Sequence, residues 1–222
     1  MIRVLLVDDD SMVRAFVGQI LGATPDIEVV GEATDGDEVV TAVQTHRPDV
    51  VVMDLVMRRM DGAAATKALQ SLPDPPRVVA LTAFDTPPLI LEAIEAGVDG
   101  FLAKDASPDE ITAAVRAVAA GDAALSARAQ RLVLEQLHAN GAGRAQREAR
   151  ERLALLTDRE LQIAEAVAAG LTNAQIAEHA YVSEATVKTH LGRALVKLGL
   201  SNRTQLALVV DRARLDDERT DR

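Results

Sequence analysis

The sequence predicts an α/β fold in its first half, a doubly wound parallel sheet, joined to an all-α four-helix domain. Three observations predict it. Five short apolar runs, at 3–7, 28–33, 50–53, 78–81 and 100–102, alternate with amphipathic helical stretches. Strands that alternate with helices build βα units, and hence a parallel sheet covered on both faces. From Leu153 onward the pattern is helical alone, with four helix-start signals in close succession.

The elements follow in order. Ile2-Arg3-Val4-Leu5-Leu6-Val7 is apolar enough for a strand buried on both faces. Val13, Phe16, Val17 and Ile20 then share one face of a helix, at spacings of three, four and seven. Val39, Val40 and Val43 repeat the pattern, as do Ile90, Leu91, Ile94 and Val98. Ser107-Pro108-Asp109-Glu110 is a capping box with Pro at the first helical position. It opens a helix through Ile111, Val115 and Val118 that closes, with the domain, at Gly121-Asp122. Residues 123–152 read as a linker with helical pieces: one through Leu132, Val133 and Leu137, a small flexible stretch at 139–143, and a charged helix-prone stretch at 144–152. Thr157, Thr172, Ser183 and Ser201 start the later helices, Gly170 and Gly199 stop two of them, and the short break near Tyr181-Val182 describes a helix-turn-helix. The expected division is 1–122, 123–152, 153–213 and a charged flexible tail at 214–222.

Composition excludes some functions. The chain has no Cys, so disulfide and thiol chemistry are out, which fits a reducing cytoplasm. The N-terminus runs straight into a strand, so no secretory signal is expected, and no apolar run is long enough to span a membrane. The net charge of −10 is uneven: residues 1–122 carry 21 acids and 9 bases, residues 151–222 carry 11 and 10. A near-neutral C-terminal part gives no charge-based argument for nucleic-acid binding, so any such claim rests on motif and geometry.

Three consecutive acids, Asp8-Asp9-Asp10, follow the first strand. Alone they read equally as a solvated turn or as oxygen ligands for a hard cation such as Mg2+. Asp54 ends the third strand, Thr82 the fourth, and Lys104 follows the fifth. Open parallel sheets bind ligands beyond the carboxyl ends of their strands. Carboxylates, a hydroxyl and an ammonium gathered there suit phosphoryl transfer to a carboxylate nucleophile.

The text around these residues resembles a bacterial response-regulator receiver domain over residues 1–122. It comprises Leu5-Leu6-Val7-Asp8-Asp9-Asp10, Asp54-Leu55-Val56-Met57 with Met60-Asp61-Gly62, Leu81-Thr82-Ala83, and Phe101-Leu102-Ala103-Lys104-Asp105. The resemblance implies the flavodoxin-like strand order 2-1-3-4-5. It implies that Asp54 accepts a phosphoryl group from a histidine kinase. Asp9, Asp54 and the backbone carbonyl of Val56 would bind Mg2+, with Asp8 acting through water. Thr82 and Lys104 would meet the phosphoryl oxygens, and Phe101 would change rotamer with Thr82. The family usually has Pro where Arg58 stands, so Arg58-Arg59 either loosens that loop or brings positive charge to the site.

Residues 153–210 resemble the LuxR/NarL-type C-terminal domain. The matching text is Leu156-Thr157-Asp158-Arg159-Glu160, Gly170-Leu171-Thr172-Asn173, Ile176-Ala177, Val182-Ser183, Thr186-Val187-Lys188 with His190, Lys197-Leu198-Gly199 and Asn202-Arg203-Thr204. The third helix would enter the major groove of double-stranded DNA with its N-terminal turns leading. Glu184, Ala185, Lys188, Thr189 and Gly192 would face outward, with Val187, Leu191, Leu195 and Leu198 inward. Lys188 suits guanine or phosphate, Thr186 and Arg203 suit phosphate, and His190 is expected to be partly buried. Gly192 removes a contact one turn after Lys188. Tyr181 either packs into the space left by Ala180, where the family carries leucine, or offers its hydroxyl to a phosphate, and packing is the favoured expectation. Leu206, Val209 and Val210 form a stripe on the last helix; such a stripe is usually core, but in this family the same helix often makes the DNA-bound dimer contact. A monomer with so few bases should bind DNA poorly, and a homodimer on paired half-sites would offset that.

The expected protein is therefore a non-enzymatic, phosphorylation-controlled transcription factor of the cytoplasm. Two other classes compete. A haloacid-dehalogenase-like phosphohydrolase needs a second acid two residues after the nucleophile, where Val56 stands. A phosphate-sink or protein-interaction receiver without DNA output draws on the near-neutral charge and Gly192.

Overall fold

A computed structural model describes residues 1–83, 86–125 and 142–214. It divides into two compact units, Met1–Ala129 and Gln130–Arg222. The expected helix through Leu132, Val133 and Leu137, part of the 139–143 stretch and the tail from Leu215 lie outside the described residues.

In the first unit the order is β1 Ile2–Val7, α1 Ser11–Gly22, β2 Ile27–Ala33, a 3-10 turn Gly36–Glu38, α2 Val39–His46, β3 Val50–Met53, α3 Gly62–Leu69, β4 Arg77–Thr82, α4 Pro87–Ala96, β5 Gly100–Ala103, α5 Pro108–Ala120 and β6 Ala124–Leu125. The sheet is parallel throughout and ordered β2-β1-β3-β4-β5-β6. Its first five strands take the expected 2-1-3-4-5 order. Strand order reverses between β1 and β3, so the crevice beyond their carboxyl ends lies at the topological switch point.

The strands are buried because helices cover both faces. All four residues of β3 are buried, as are Val4 to Val7 of β1. One core joins Val4, Leu6, Val50, Val52, Val79 and Leu81 of the sheet to Val17 and Leu21 of α1 and to Ile111, Val115 and Val118 of α5. Two details depart from the periodic reading. Phe16, expected on the buried face of α1, is 50% exposed, and the stripe runs through Val17 and Leu21 instead. The sheet also continues past Gly121, because β6 pairs with β5 through Gly100–Ala124 and Phe101–Leu125. Two residues of Ala-Leu carry no strand signal of their own; this edge strand forms because β5 offers unpaired backbone groups.

The second unit holds α6 Ala142–Leu153, α7 Asp158–Ala168, α8 Asn173–His179, α9 Glu184–Leu198 and α10 Arg203–Arg214. Thr157 and Thr172 close full capping boxes with Glu160 and Gln175, and Ser183 accepts from the Thr186 amide. At α10 the cap is Asn202 rather than Ser201, its side chain accepting from the Gln205 amide at 3.0 Å. Gly170 and Gly199, at φ +80° and +61°, end α7 and α9 in the left-handed conformation. The core gathers Ile163, Val167, Ile176, Val187, Leu191, Leu198, Leu206 and Val210.

The charged stretch read as part of a linker forms α6 and belongs to this unit. Ala149 packs against Val209 and Ala213 of α10. The side chains of Gln146 and Arg150 donate to the Ala213 carbonyl at 3.4 and 3.0 Å, and Arg152 donates to the Leu198 carbonyl. Carbonyls at the ends of α9 and α10, which have no partner inside their own helices, are satisfied this way.

Candidate functional site

Four strand ends build the first site. β1 delivers Asp8 and Asp9, β3 delivers Asp54, β4 ends on Thr82, and β5 is followed by Lys104. Ligand oxygens of Asp8, Asp9 and Asp54 all lie within 4.8 Å of one another. Lys104 Nζ sits 2.7 Å from Asp8 Oδ2 and 2.7 Å from Asp54 Oδ2. Asp8 and Asp54 are buried and Asp9 is half-buried. Asp10 leaves the cluster and caps α1, accepting from the Met12 amide at 2.8 Å.

Electrostatics explains why the cluster holds together. Burial pushes the Asp54 carboxyl up, more than the Lys104 hydrogen bond and the Val56 amide pull it down, and the neighbouring Asp8 charge adds to the rise. For Lys104, burial works against the charged form, but the hydrogen bond to Asp54 and the ion pair with Asp8 outweigh it and hold the ammonium above its ordinary value. Even with the exposed Arg58 guanidinium beside Asp9, three carboxylates remain short of positive charge. An oxygen-only donor set of this kind fits a hard divalent cation, Mg2+ foremost.

Thr82 and Phe101 are each 3% exposed. Thr82 pairs with Ala103 in the β4–β5 ladder, and its carbonyl accepts the Lys104 amide at 3.0 Å. Phe101 pairs with Ala80 in the same ladder. The Val56 amide donates to Asp54 Oδ1 at 3.2 Å, which draws the loop after β3 onto the carboxylate.

That loop carries what the sequence reading left undecided. Arg58 Nε lies 3.1 Å from Asp9 Oδ2, so positive charge does reach the site. Nor is the loop loose. Asp35, 2% exposed, accepts the amides of Gly36, Arg59 and Met60 at 2.8, 3.0 and 2.9 Å. Burial alone would raise the Asp35 carboxyl; the amides of Met60, Arg59 and Gly36 overcome it and lower it. The Arg59 side chain pairs with Asp35, Asp37 and Glu38. Close approach is built in as well: a Cβ on Gly36 would fall 2.4 Å from the Met60 carbonyl oxygen, and one on Gly62 would fall 2.4 Å from the Asp54 carbonyl oxygen. Sequence reasoning missed Asp35, although Asp-Gly at the end of β2 marks the same sheet edge.

The second site is the outer face of α9. Glu184, Ala185, Lys188 and Thr189 are exposed, and Gly192 and His190 are half-buried, while Val187, Leu191 and Leu198 are core. The Thr186 hydroxyl is shared with the cap, 2.9 Å from Ser183 Oγ, and Thr189 Oγ1 donates to the Ala185 carbonyl at 2.8 Å. Arg193, not among the expected contacts, is also exposed on α9.

Three expectations are corrected here. Arg203 does not lie on a DNA-facing surface: it is 5% exposed, and its guanidinium donates to the Leu171 carbonyl at 2.6 Å and to Asn173 Oδ1 at 3.4 Å. Leu206, Val209 and Val210 are 0%, 4% and 1% exposed, so they are core and have no surface to offer a second copy. Tyr181 does not fill the space beside Ala180; it sits at φ +53° in the turn and is 96% exposed. Arg159 instead braces that turn, donating to the Ala180 carbonyl at 3.0 Å.

Comparisons with known proteins identify both domains. Residues 4–116 match the response regulator receiver domain, and residues 154–210 match the bacterial regulatory proteins of the luxR family. The transcriptional regulatory protein LiaR of Bacillus subtilis is 41% identical over 215 residues, covering 97% of this chain and 99% of that protein. The DNA-binding transcriptional activator DevR/DosR of Mycobacterium tuberculosis is 36% identical over 208 residues, 94% of this chain and 93% of that one. The crystal structure of ChrA, a response regulator in a heme-sensing two-component system, is 37% identical over 96% of this chain and 98% of its own, with a TM-score of 0.53. A receiver domain with an acidic pocket at its sheet edge, followed by a helix-turn-helix unit, therefore places this chain among the two-component response regulators that control transcription through a LuxR-type DNA-binding domain.

Proposed function

We propose that Asp54 is the phosphoacceptor. The observation that carries this reading is the meeting of Asp54 with Lys104 at 2.7 Å and with Asp8 and Asp9 within 4.8 Å, at the sheet's switch point. A carboxylate oxygen of Asp54 attacks the phosphorus of a phosphohistidine on a sensor kinase. The N–P bond breaks, the imidazole leaves, and an acyl phosphate forms on Asp54. Lys104 neutralises charge on the phosphoryl oxygens, and Thr82 donates its hydroxyl to one of them. Asp9, Asp54 and the Val56 carbonyl would hold Mg2+, with Asp8 contributing through water, and the ion would supply further neutralisation of the transferring group.

Output runs through Thr82 and Phe101. Thr82 moves toward the phosphoryl group, Phe101 changes rotamer, and the population shifts toward a dimer that binds paired half-sites in double-stranded DNA. In the groove, Lys188 reads guanine or phosphate, and Glu184, Thr186, Thr189 and His190 line the contact. Arg193 extends the basic face. The residues that join two copies lie elsewhere than Leu206, Val209 and Val210. The protein works in the cytoplasm, where kinase and chromosome meet; among the described residues no helix is long and apolar enough to cross a membrane.

Incubation with acetyl phosphate and Mg2+ tests the reading. Wild type gains one phosphoryl group by intact mass and shifts toward a dimer that binds operator DNA, whereas Asp54→Ala does neither. Equal behaviour of the two proteins would refute it. Thr82→Ala should still gain the phosphoryl group but show a weakened dimer shift.

A further inference from the structure

We propose that Arg58 is a built-in competitor of the divalent cation at Asp9, so that it sets the cation concentration at which the site loads. The inference rests on the reading of Asp9 as a ligand of that ion.

The pairing of charges leads to it. Lys104 reaches Asp8 Oδ2 and Asp54 Oδ2, each at 2.7 Å, and so serves two of the three carboxylates. Arg58 Nε serves the third, 3.1 Å from Asp9 Oδ2. A guanidinium there occupies one of the oxygens a cation would need. It also sets a positive charge beside the place where two more would arrive, and like charges at such range oppose each other.

The two neighbouring arginines divide the work. Arg59 meets Asp35, Asp37 and Glu38, and its amide and that of Met60 are fixed on the buried Asp35, so this residue anchors the loop. Among the described residues Arg58 anchors nothing else: its side chain is 85% exposed, and its bond to Asp9 is a single contact across a solvent-facing rim. Exposed pairs of this kind are weak and salt-sensitive. Arg58 can therefore yield Asp9 to a cation without moving the backbone, which is the property a competitor needs and a strut lacks.

The test is a Mg2+ titration of the full-length, unphosphorylated chain, followed by the amide NMR shifts of Asp9, Asp10, Asp54 and Val56. Arg58→Gln should bind Mg2+ about two- to fivefold more tightly than wild type at low salt, on the scale of an exposed ion pair. Arg58→Glu should bind more tightly still. The gap between wild type and Arg58→Gln should narrow in high salt, because screening weakens the competing pair. Equal midpoints for wild type and Arg58→Gln, or weaker binding by the variant, would overturn the inference. Asp9→Asn separates this from the underlying reading. If Asp9→Asn binds Mg2+ as wild type does, Asp9 is no ligand and the site assignment falls; if it loses binding while Arg58→Gln changes nothing, only the competitor role falls.

Discussion

Lys104 faces two buried carboxylates, and its removal shows what one cation does for them. With Lys104→Met, Asp8 and Asp54, at 3% and 5% exposure, lose their shared partner. Removing one partner of a buried ion pair costs about 3–5 kcal/mol, so urea unfolding should show a loss of that order, partly restored by millimolar Mg2+. A variant as stable as wild type would mean the carboxylates had found another counter-ion. Glu160 allows a pH prediction. The Lys197 ammonium, 2.6 Å away, and the Thr157 amide hold its carboxyl well down, from the ordinary 4.5 to about 2. A carboxyl lowered in the folded state stabilises it above the unfolded value and loses that contribution as pH falls through the folded one. Wild type should therefore lose stability between pH 4.5 and about 2 through this group, and Glu160→Gln should show a shallower acid limb in melts over that range. Parallel limbs would show that the pair contributes nothing.

Glycines separate two kinds of helix. In α9 a Cβ on Gly192 meets nothing within 4 Å. Gly192→Ala should therefore raise thermal stability by about 0.5–1 kcal/mol through helix propensity alone. At the start of α3 the reverse holds. Gly62→Ala would press a Cβ to 2.4 Å from the Asp54 carbonyl oxygen, and the backbone must give. A loss of about 1–3 kcal/mol is expected, together with weaker Mg2+ binding, because the loop after Asp54 would shift. A Gly62→Ala protein with the stability and Mg2+ affinity of wild type would contradict the close approach. In α10, Leu206→Ala removes a fully buried side chain and should cost about 2–5 kcal/mol in the unphosphorylated protein. A side chain reserved for a dimer contact would leave that stability unchanged.

At the scale of the whole molecule, the proposed dimer makes charge and symmetry the expected determinants of DNA binding. The chain carries −10 overall, and residues 1–122 alone carry −12, offset by a net positive stretch after them. The DNA-binding part has only a few bases on its reading face, so one copy on one half-site binds weakly. Paired half-sites on one duplex should bind the phosphorylated protein at least about tenfold more tightly than a single half-site, by fluorescence anisotropy. The affinity should fall steeply with salt, as phosphate contacts require. Equal affinity for single and paired sites would remove the dimer from the mechanism.

Sequence by itself determined the five main strands and which residues gather at the first site. The alternation of apolar runs with helical stripes yields the five strands, because period and burial are written locally in residue type. The caps at Thr157, Thr172, Ser183 and Ser107 are equally local. Asp8, Asp9, Asp54, Thr82 and Lys104 stood out because a parallel sheet brings every strand's carboxyl end to one edge. Tertiary structure alone decided which groups pair and which faces close. Arg58 found Asp9 and Arg59 found Asp35 across long stretches of chain, and no spacing announces such partners. Helix α6 covers Val209 and Ala213, and β6 extends the sheet, although neither stretch carries a strong signal. Arg203 shows the same limit: residue type suggests a phosphate contact, but whether a guanidinium meets solvent or a buried carbonyl depends on what packs over it. Local pattern fixes what a residue prefers, and long-range packing fixes what it meets.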